Sequence, residues 1–279
     1  MSLLEAVRAV EEELGEAGVP SPRVDAEYLV GDALGRTRVE LYAGNGSLSP
    51  EQEDRLRGLV ARRRRREPLA YILGEWGFRN LILAVDCRVL VPRPETEVLV
   101  ERCLDAIRDL EAPRVVDVGT GSGAIALAIA SEHHGARVLG IDTSLGALEV
   151  ARENRVRAGL VDRVTLRRTD LLSGLAGPVD LVASNPPYVR EDELDSVDPE
   201  VRDWEPRIAV VGEGIAERIA DDARRVLRVG GTLVLECGAG QSADLASYLV
   251  DLGYGDVEIT PDLAGRDRVV EGRVVRALG

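Results

Sequence analysis

The sequence predicts an α/β fold, a largely parallel β-sheet covered by helices on both faces, preceded by a small helical bundle. Three observations predict it. From residue 114 onward, short β-favouring runs alternate with helical runs. Before residue 75, apolar residues recur at helical spacing, and two of the helix starts carry a serine–proline pair. Between these regions, residues 76–94 change character and read as short strands.

The elements follow in order. "LLEAVRAVEEELGEAG" puts Leu3, Val7, Val10 and Leu14 on one helical face and stops at a glycine. "SPRVDAEYLVGDALG" offers Ser21 as N-cap, Pro22 at the first helical position and Gly35 as the stop. "SPEQEDRLRGLVARRRRRE" repeats this logic with Ser49 and Pro50. In "WGFRNLILAVDCRVLVPRP", the runs "LILAV" and "RVLVP" flank "DC", which suggests a hairpin bridging two domains. After the helix "PETEVLVERCLDAIRDL", strand "RVVDVG" leads to helix "SGAIALAIASEHH", and strand "RVLGID" to helix "SLGALEVARENRVRAG". Strands "VTLRRTD" and "VDLVASN" come next, the second with a longer insertion after it. Helix "GIAERIADDARRVL", a turn at "RVGG" and strand "TLVLEC" complete the alternation. The last two strands, "YGDVEITPD" and "DRVVEGRVVRAL", are joined by a short loop and are therefore antiparallel. The expected organisation is a helical domain over residues 1–75, a hairpin linker over 76–94 and the sheet domain over 95–279.

Composition narrows the function classes. No apolar run approaches the roughly 18 residues of a membrane span, and "MSLLEAVRAVEEEL" is too acidic for a signal peptide. Cys87, Cys103 and Cys237 lie far apart with no CxxC, which argues against a disulfide framework or a metal site. They are expected as small buried apolar residues in a reduced, cytoplasmic protein. All 35 basic residues are arginine, and the net charge is −14, so stable binding to a nucleic-acid backbone is not expected. The first 80 residues are the less acidic part, with 12 Arg against 14 acidic residues. Arg62 to Arg66 reads either as a patch for RNA phosphates or, with more weight, as a solvated helix end. His133 and His134 read as a helix terminus.

The chemistry gathers at the carboxyl ends of the strands. "DVGTGSGA" is a G-x-G-x-G turn at Gly119, Gly121 and Gly123, where the backbone can approach a ligand beside a helix N-terminus. It lacks the G-x-G-x-x-G spacing of dinucleotide enzymes. Asp142 ends the second strand and can accept both ribose hydroxyls, or cap the next helix. Asp170 ends the third and can take an adenine amino group. With no phosphate-binding lysine, an adenosine bearing an amino-acid tail fits better than ATP. The fourth strand ends Asn185-Pro186-Pro187-Tyr188. The Asn185 side-chain oxygen and the Pro186 carbonyl can both accept from one –NH₂ group, which turns its lone pair toward an electrophile. Tyr188 can stack on a planar group or offer its ring face to a sulfonium.

These motifs occur in a familiar order. "PLAYILGEWGF", "PRPETE", "DVGTGSGAIALAIA", "SNPPYV", "WEPR", "LECGAGQ" and "GRDRVVEGR", over about residues 68–276, resemble the release factor glutamine methyltransferases, the HemK/PrmC family. The resemblance implies a class I S-adenosylmethionine-dependent methyltransferase with a Rossmann-like seven-stranded sheet, a helical N-terminal substrate-recognition domain and a β-hairpin linker. It implies transfer of a methyl group from S-adenosyl-L-methionine to the side-chain amide nitrogen (N5) of glutamine in the Gly-Gly-Gln motif of class I peptide chain release factors. S-adenosyl-L-homocysteine is the product. Carried over by position, Gly119, Thr120, Gly121, Gly123, Asp142, Asp170, Leu171, Asn185 and Phe78 hold the cofactor. Asn185, Pro186, Pro187, Tyr188, Arg93 and Glu97 hold the substrate, with Asn185, Pro186 and Tyr188 catalytic. The protein is expected to act as a monomer, away from membranes. Other substrates stay open: a ribosomal-protein glutamine, or the exocyclic amine of adenine or cytosine in nucleic acid, which is also a planar –NH₂. A non-catalytic binding module built on this fold is a third alternative, opposed by the complete motifs.

Overall fold

Ser2 and Ser49 each close a capping box: the serine oxygen accepts the N–H three residues on, and Glu5 or Gln52 reaches back to the serine N–H. They start α1 (Leu3–Glu16) and α4 (Pro50–Arg64), between which lie α2 (Pro22–Leu34) and α3 (Arg38–Ala43). The computed structural model describes residues 2–43 and 46–276. The chain divides into two units: residues up to Glu75 with Asp198–Trp204, and Trp76–Val197 with the residues from Glu205 on.

In the first unit, α1 buries Leu3, Val7, Val10 and Leu14, the face its spacing marked, together with Leu29 and Val30 of α2 and Leu56 and Val60 of α4. A short α5 (Leu69–Leu73) ends at Gly74. Gly35 stops α2 in the left-handed region, at φ +64. Ser21 is a correction: it makes no side-chain cap, because its ψ of 60° is not the extended geometry that aims a hydroxyl at the first turn.

The arginine run is a second correction. Arg62 pairs with Glu67, Arg64 with Glu13, and Arg66 with Glu200. Arg63 is buried, 2.7 Å from Asp25 and 2.8 Å from Glu200. Burial pushes the Asp25 carboxyl up, and the Arg63 guanidinium works against that. Arg62, Arg63 and Arg66 thus tie the helical unit together, while Arg64, in an exposed pair, and Arg65 form the solvated end of α4.

The second unit opens with a hairpin, but not at the expected turn. Its strands are β1 (Glu75–Phe78) and β2 (Leu81–Ala84), joined at Arg79 and Asn80, with Arg79 at φ +50. "RVLVP" forms no strand, since Pro92 and Pro94 remove the N–H groups a ladder needs. Cys87 is exposed, whereas Cys103 and Cys237 are buried. Next come α6 (Pro94–Ile107), β3 (Arg114–Val118), α7 (Ala124–Glu132), β4 (Arg137–Asp142), α8 (Leu145–Arg157), β5 (Val164–Arg168) and β6 (Val179–Ser184). The insertion after β6 carries a 3₁₀ turn (Glu191–Ser196) and the short helices α9 (Pro199–Trp204) and α10 (Arg207–Val210). Then follow α11 (Ile215–Val226), β7 (Leu227–Glu236), α12 (Ser242–Asp251), β8 (Tyr254–Pro261) and β9 (Asp267–Val274).

Seven strands make one sheet in the order β5-β4-β3-β6-β7-β9-β8. The first five are parallel, and β9 and β8 are antiparallel, as their short connection requires. Alternate residues feed two cores: Val115, Leu181 and Val234 pack with α6 and α7, while Val116, Val182 and Leu235 pack with α11 and α12. The "RVGG" stretch is no turn between elements. It lies within β7 as an irregularity, where pairing with β6 steps from Val179–Leu227 to Leu181–Thr232. No described helix is long and apolar enough to cross a membrane.

Candidate active site

β3 has β4 on one side and β6 on the other, so the strand order reverses there and the loops leaving β3 and β6 part. A cavity of about 290 Å³ occupies this point. Its walls include Gly119 to Ser122, Asp142 to Ser144, Thr169 to Leu171, Asn185 and Pro187. Arg88, Pro92, Arg93, Thr96, Ile208 and Val211 also line it. Of the site residues expected from sequence, Gly119, Thr120, Gly121, Asp142, Asp170, Leu171, Asn185, Pro187 and Arg93 thus share one wall. Gly123, Pro186, Tyr188, Glu97 and Phe78 do not line it.

The glycine turn has a physical reason at each position. Gly119, Gly121 and Gly123 sit at φ +70, +56 and +86, which side chains rarely adopt. A Cβ on Gly119 would meet nothing within 4 Å, so the cradle opens into the cavity and fits a close-lying ligand. Gly123 serves packing instead: a Cβ there would come 3.1 Å from Leu127 Cδ1. The Asp142 carboxylate accepts the Gly121 N–H at 3.0 Å and the Ser144 N–H at 2.9 Å. The capping of α8 falls to Ser144, whose hydroxyl accepts the Ala147 N–H.

Thr120 donates its hydroxyl to Asp117 at 2.6 Å. Asp117 is fully buried, and burial raises its carboxyl to about 7 against the hydrogen bonds from Thr120 and the Ala126 N–H. Its Oδ1 has no partner. Asp170 lies two residues past β5, exposed and 3.7 Å from Arg218. Leu171 follows at φ +45, a conformation that costs a branched side chain roughly 1 kcal/mol.

The "NPPY" turn is held from several sides. Ser184 Oγ donates to the Val118 carbonyl at 2.7 Å, aligning the ends of β6 and β3. Asn185 Nδ2 donates to Thr96 Oγ1 at 3.1 Å, and no described residue donates to Asn185 Oδ1. The Tyr188 carbonyl accepts from Gln241 Nε2 at 3.0 Å. Val189 exchanges backbone hydrogen bonds with Val210 and Gly212. Pro186 is buried and Tyr188 half-buried. Burial, and next the Glu236 charge, push the Tyr188 hydroxyl above its ordinary range.

Arg93 pairs with the buried Glu205 at 2.6 Å. Glu97 instead accepts the Arg79 N–H at 2.9 Å and anchors the hairpin turn. Phe78 is 1% exposed in the core with Leu83 and Leu99, so its side chain serves packing rather than the cavity wall.

Three contributions escaped the sequence reading. Ile208 and Ala209 of α10 reach the cavity from the insertion after β6. Thr96 lies in the Arg93 to Glu97 segment that the resemblance places at the pocket, but its contact with Asn185 carried no sequence signal. Glu236 follows the apolar run Leu233–Leu235, and an acid at the carboxyl end of β7 was the available signal. It is 2% exposed, and burial lifts its carboxyl to about 7, opposed by Thr96, Arg268 and Asn185.

This sheet order, with a glycine turn and an acidic second strand at its switch point, defines an S-adenosylmethionine-dependent methyltransferase of class I. A solved structure, the hMettl16 catalytic domain in complex with a MAT2A 3′UTR hairpin, shares the fold, with TM-score 0.57 and 19% identity over 69% of this chain and 75% of that one. Two family models match: the PrmC N-terminal domain over residues 5–74 and the methyltransferase small domain over 94–198. A release factor glutamine methyltransferase of Caulobacter vibrioides is 40% identical over 98% of this chain and 96% of its own. One of Geobacter sulfurreducens is 42% identical over 94% and 93%. The chain belongs to the release factor glutamine methyltransferase family.

Proposed function

We propose that the chain methylates N5 of the glutamine in the Gly-Gly-Gln motif of class I peptide chain release factors, as a cytoplasmic monomer. The observation that carries this is Asn185: its Nδ2 is held by Thr96, which leaves Oδ1 as an acceptor on the wall that also carries the glycine turn. Gly119, Gly121, Asp142, Asp170 and Leu171 would hold S-adenosylmethionine. When bound, it supplies an electrophilic methyl group.

The protein's part is orientation. A carboxamide nitrogen is a weak nucleophile because its lone pair is delocalised into the carbonyl. Asn185 Oδ1 and the Pro186 carbonyl accept its two hydrogens and hold it with the lone pair turned away from them. The half-buried Tyr188 offers a ring face to the planar amide. No residue is required as a base, and the surplus proton leaves to solvent after transfer.

The test is methyl transfer from labelled S-adenosylmethionine to purified release factor, with the Gly-Gly-Gln glutamine intact or replaced by alanine. Label on the intact protein alone is expected. Label on ribosomal protein or nucleic acid instead would overturn the reading.

A further inference from the structure

We propose that Thr96 and Glu236 are positioning residues that set which way the Asn185 carboxamide faces. The inference rests on Asn185 as the holder of the substrate amide. A carboxamide can rotate by half a turn and exchange its oxygen and nitrogen, and only one setting presents an acceptor to an –NH₂ group.

Three elements meet behind Asn185. β6 and β7 run parallel with Ser184 opposite Leu235, so Asn185, just past β6, lies beside Glu236, the last residue of β7. Val234 belongs to the core that packs on α6, and Glu236, two residues on, points to that same face. There, α6 brings Thr96, which is 4% exposed. Asn185 Nδ2 donates to Thr96 Oγ1 at 3.1 Å. The hydroxyl that accepts from Asn185 has its own proton to give, and the buried Glu236 carboxylate is the acceptor neighbour of both groups. Once ionised, above about pH 7, this carboxylate only accepts, and it then fixes the direction of the chain: Thr96 donates to Glu236, Asn185 Nδ2 donates inward, and Asn185 Oδ1 faces the cavity. Glu236 Oε2 has no hydrogen-bond partner. A carboxylate left this way in an apolar core is costly, and an apolar residue would fill the same space at no such cost.

The experiment compares Thr96→Val, Thr96→Ser, Glu236→Gln and Asn185→Ala in kcat, KM for release factor, S-adenosylmethionine Kd by calorimetry, and melting temperature. Thr96→Val keeps the shape and removes the hydroxyl. It is expected to lower kcat about tenfold, the effect of one hydrogen bond, with cofactor Kd within about twofold. Thr96→Ser restores the hydroxyl and should recover most of the loss. Glu236→Gln places a donor where only acceptors fit and should also lower kcat. Adding Thr96→Val to Asn185→Ala should cost nothing further, because Thr96 acts through Asn185. Wild-type kcat in both Thr96→Val and Glu236→Gln, or a full additional loss in the double variant, overturns the proposal. If Thr96→Val does not fold, Glu236→Gln alone decides by the same split between kcat and Kd. Full turnover in Asn185→Ala would instead remove the reading of Asn185 on which this rests.

Discussion

The Asp142 carboxylate accepts the Gly121 N–H at 3.0 Å, joining the end of β4 to the glycine turn after β3. The residue expected to take ribose hydroxyls is thus also a brace for the loop beside it. Asp142→Ala removes both. A charged hydrogen bond contributes about 2 kcal/mol, so the loss of one to the cofactor should raise S-adenosylmethionine Kd by at least roughly 30-fold. Calorimetry measures it, and an unchanged Kd would remove Asp142 from the cofactor site.

Asn185→Ala is expected to do the opposite. It deletes the acceptor for the substrate amide and leaves the glycine turn alone. Turnover on release factor should fall by about 100-fold, in the range for losing one pre-set polar contact in an active site, while S-adenosylmethionine affinity stays near wild type. Equal collapse of both would show that Asn185 supports the cofactor rather than the glutamine.

Gly212 presses against the motif from behind. A Cβ there would lie 2.7 Å from Pro187 Cγ and 2.8 Å from the Pro187 carbonyl. Gly212→Ala must therefore displace the "NPPY" backbone. Overpacking of this size costs about 2 kcal/mol, and turnover should fall more than melting temperature predicts. A variant with normal kcat would show that the turn tolerates the shift.

Buried carboxyls set a pH dependence of stability. Burial raises Glu236 to about 7 from an ordinary 4.5, and Asp117 to about 7 from 3.8. The folded state therefore holds protons that the unfolded chain has released, and stability falls as pH rises from about 4 to 7. Carboxylates lowered by arginine, such as Asp86 beside Arg88, act below that window. Glu236→Gln should lose this group's share of the dependence, so its stability relative to wild type should improve by about 3 kcal/mol between pH 4 and pH 8. Urea unfolding at both pH values measures it, and a gap independent of pH would contradict the assignment.

Arg63 bridges Asp25 and Glu200 inside the helical unit. Burial pushes the Glu200 carboxyl up, and hydrogen bonds from Arg66 and Arg63 outweigh it, leaving the group below its usual range. Arg63→Ala strands the buried Asp25 carboxylate and leaves Glu200 to Arg66 alone, and should cost about 3 kcal/mol in urea unfolding. Arg64→Ala, which breaks an exposed pair with Glu13, should cost under about 1 kcal/mol. Equal losses would mean that the buried bridge is not what matters.

Elements whose signal is local were legible in the sequence. The face of α1, the stop at Gly35, the strands β3, β4, β6 and β9, and the antiparallel end of the sheet all follow from periodicity, capping chemistry and connection length. So does the carboxyl-end clustering of Gly119, Asp142 and Asn185, because a parallel sheet aligns the ends of its strands. Local patterns misled where a distant partner decided. The hairpin turned at Arg79 rather than at "DC", and α12 carried no mark that set it apart.

The sequence by itself determined the sheet, its glycine turn and the planar-nitrogen chemistry of "NPPY", because each is written in neighbouring residues. Only the tertiary structure decided what surrounds that chemistry. It sent Phe78 to the core and Glu97 to the hairpin, drew Arg63 to Glu200, and set Thr96 and Glu236 behind Asn185. Thr96 and Asn185 lie 89 positions apart. Their hydrogen bond exists because α6 packs across the ends of β6 and β7, and no local spacing encodes the packing of one element on another.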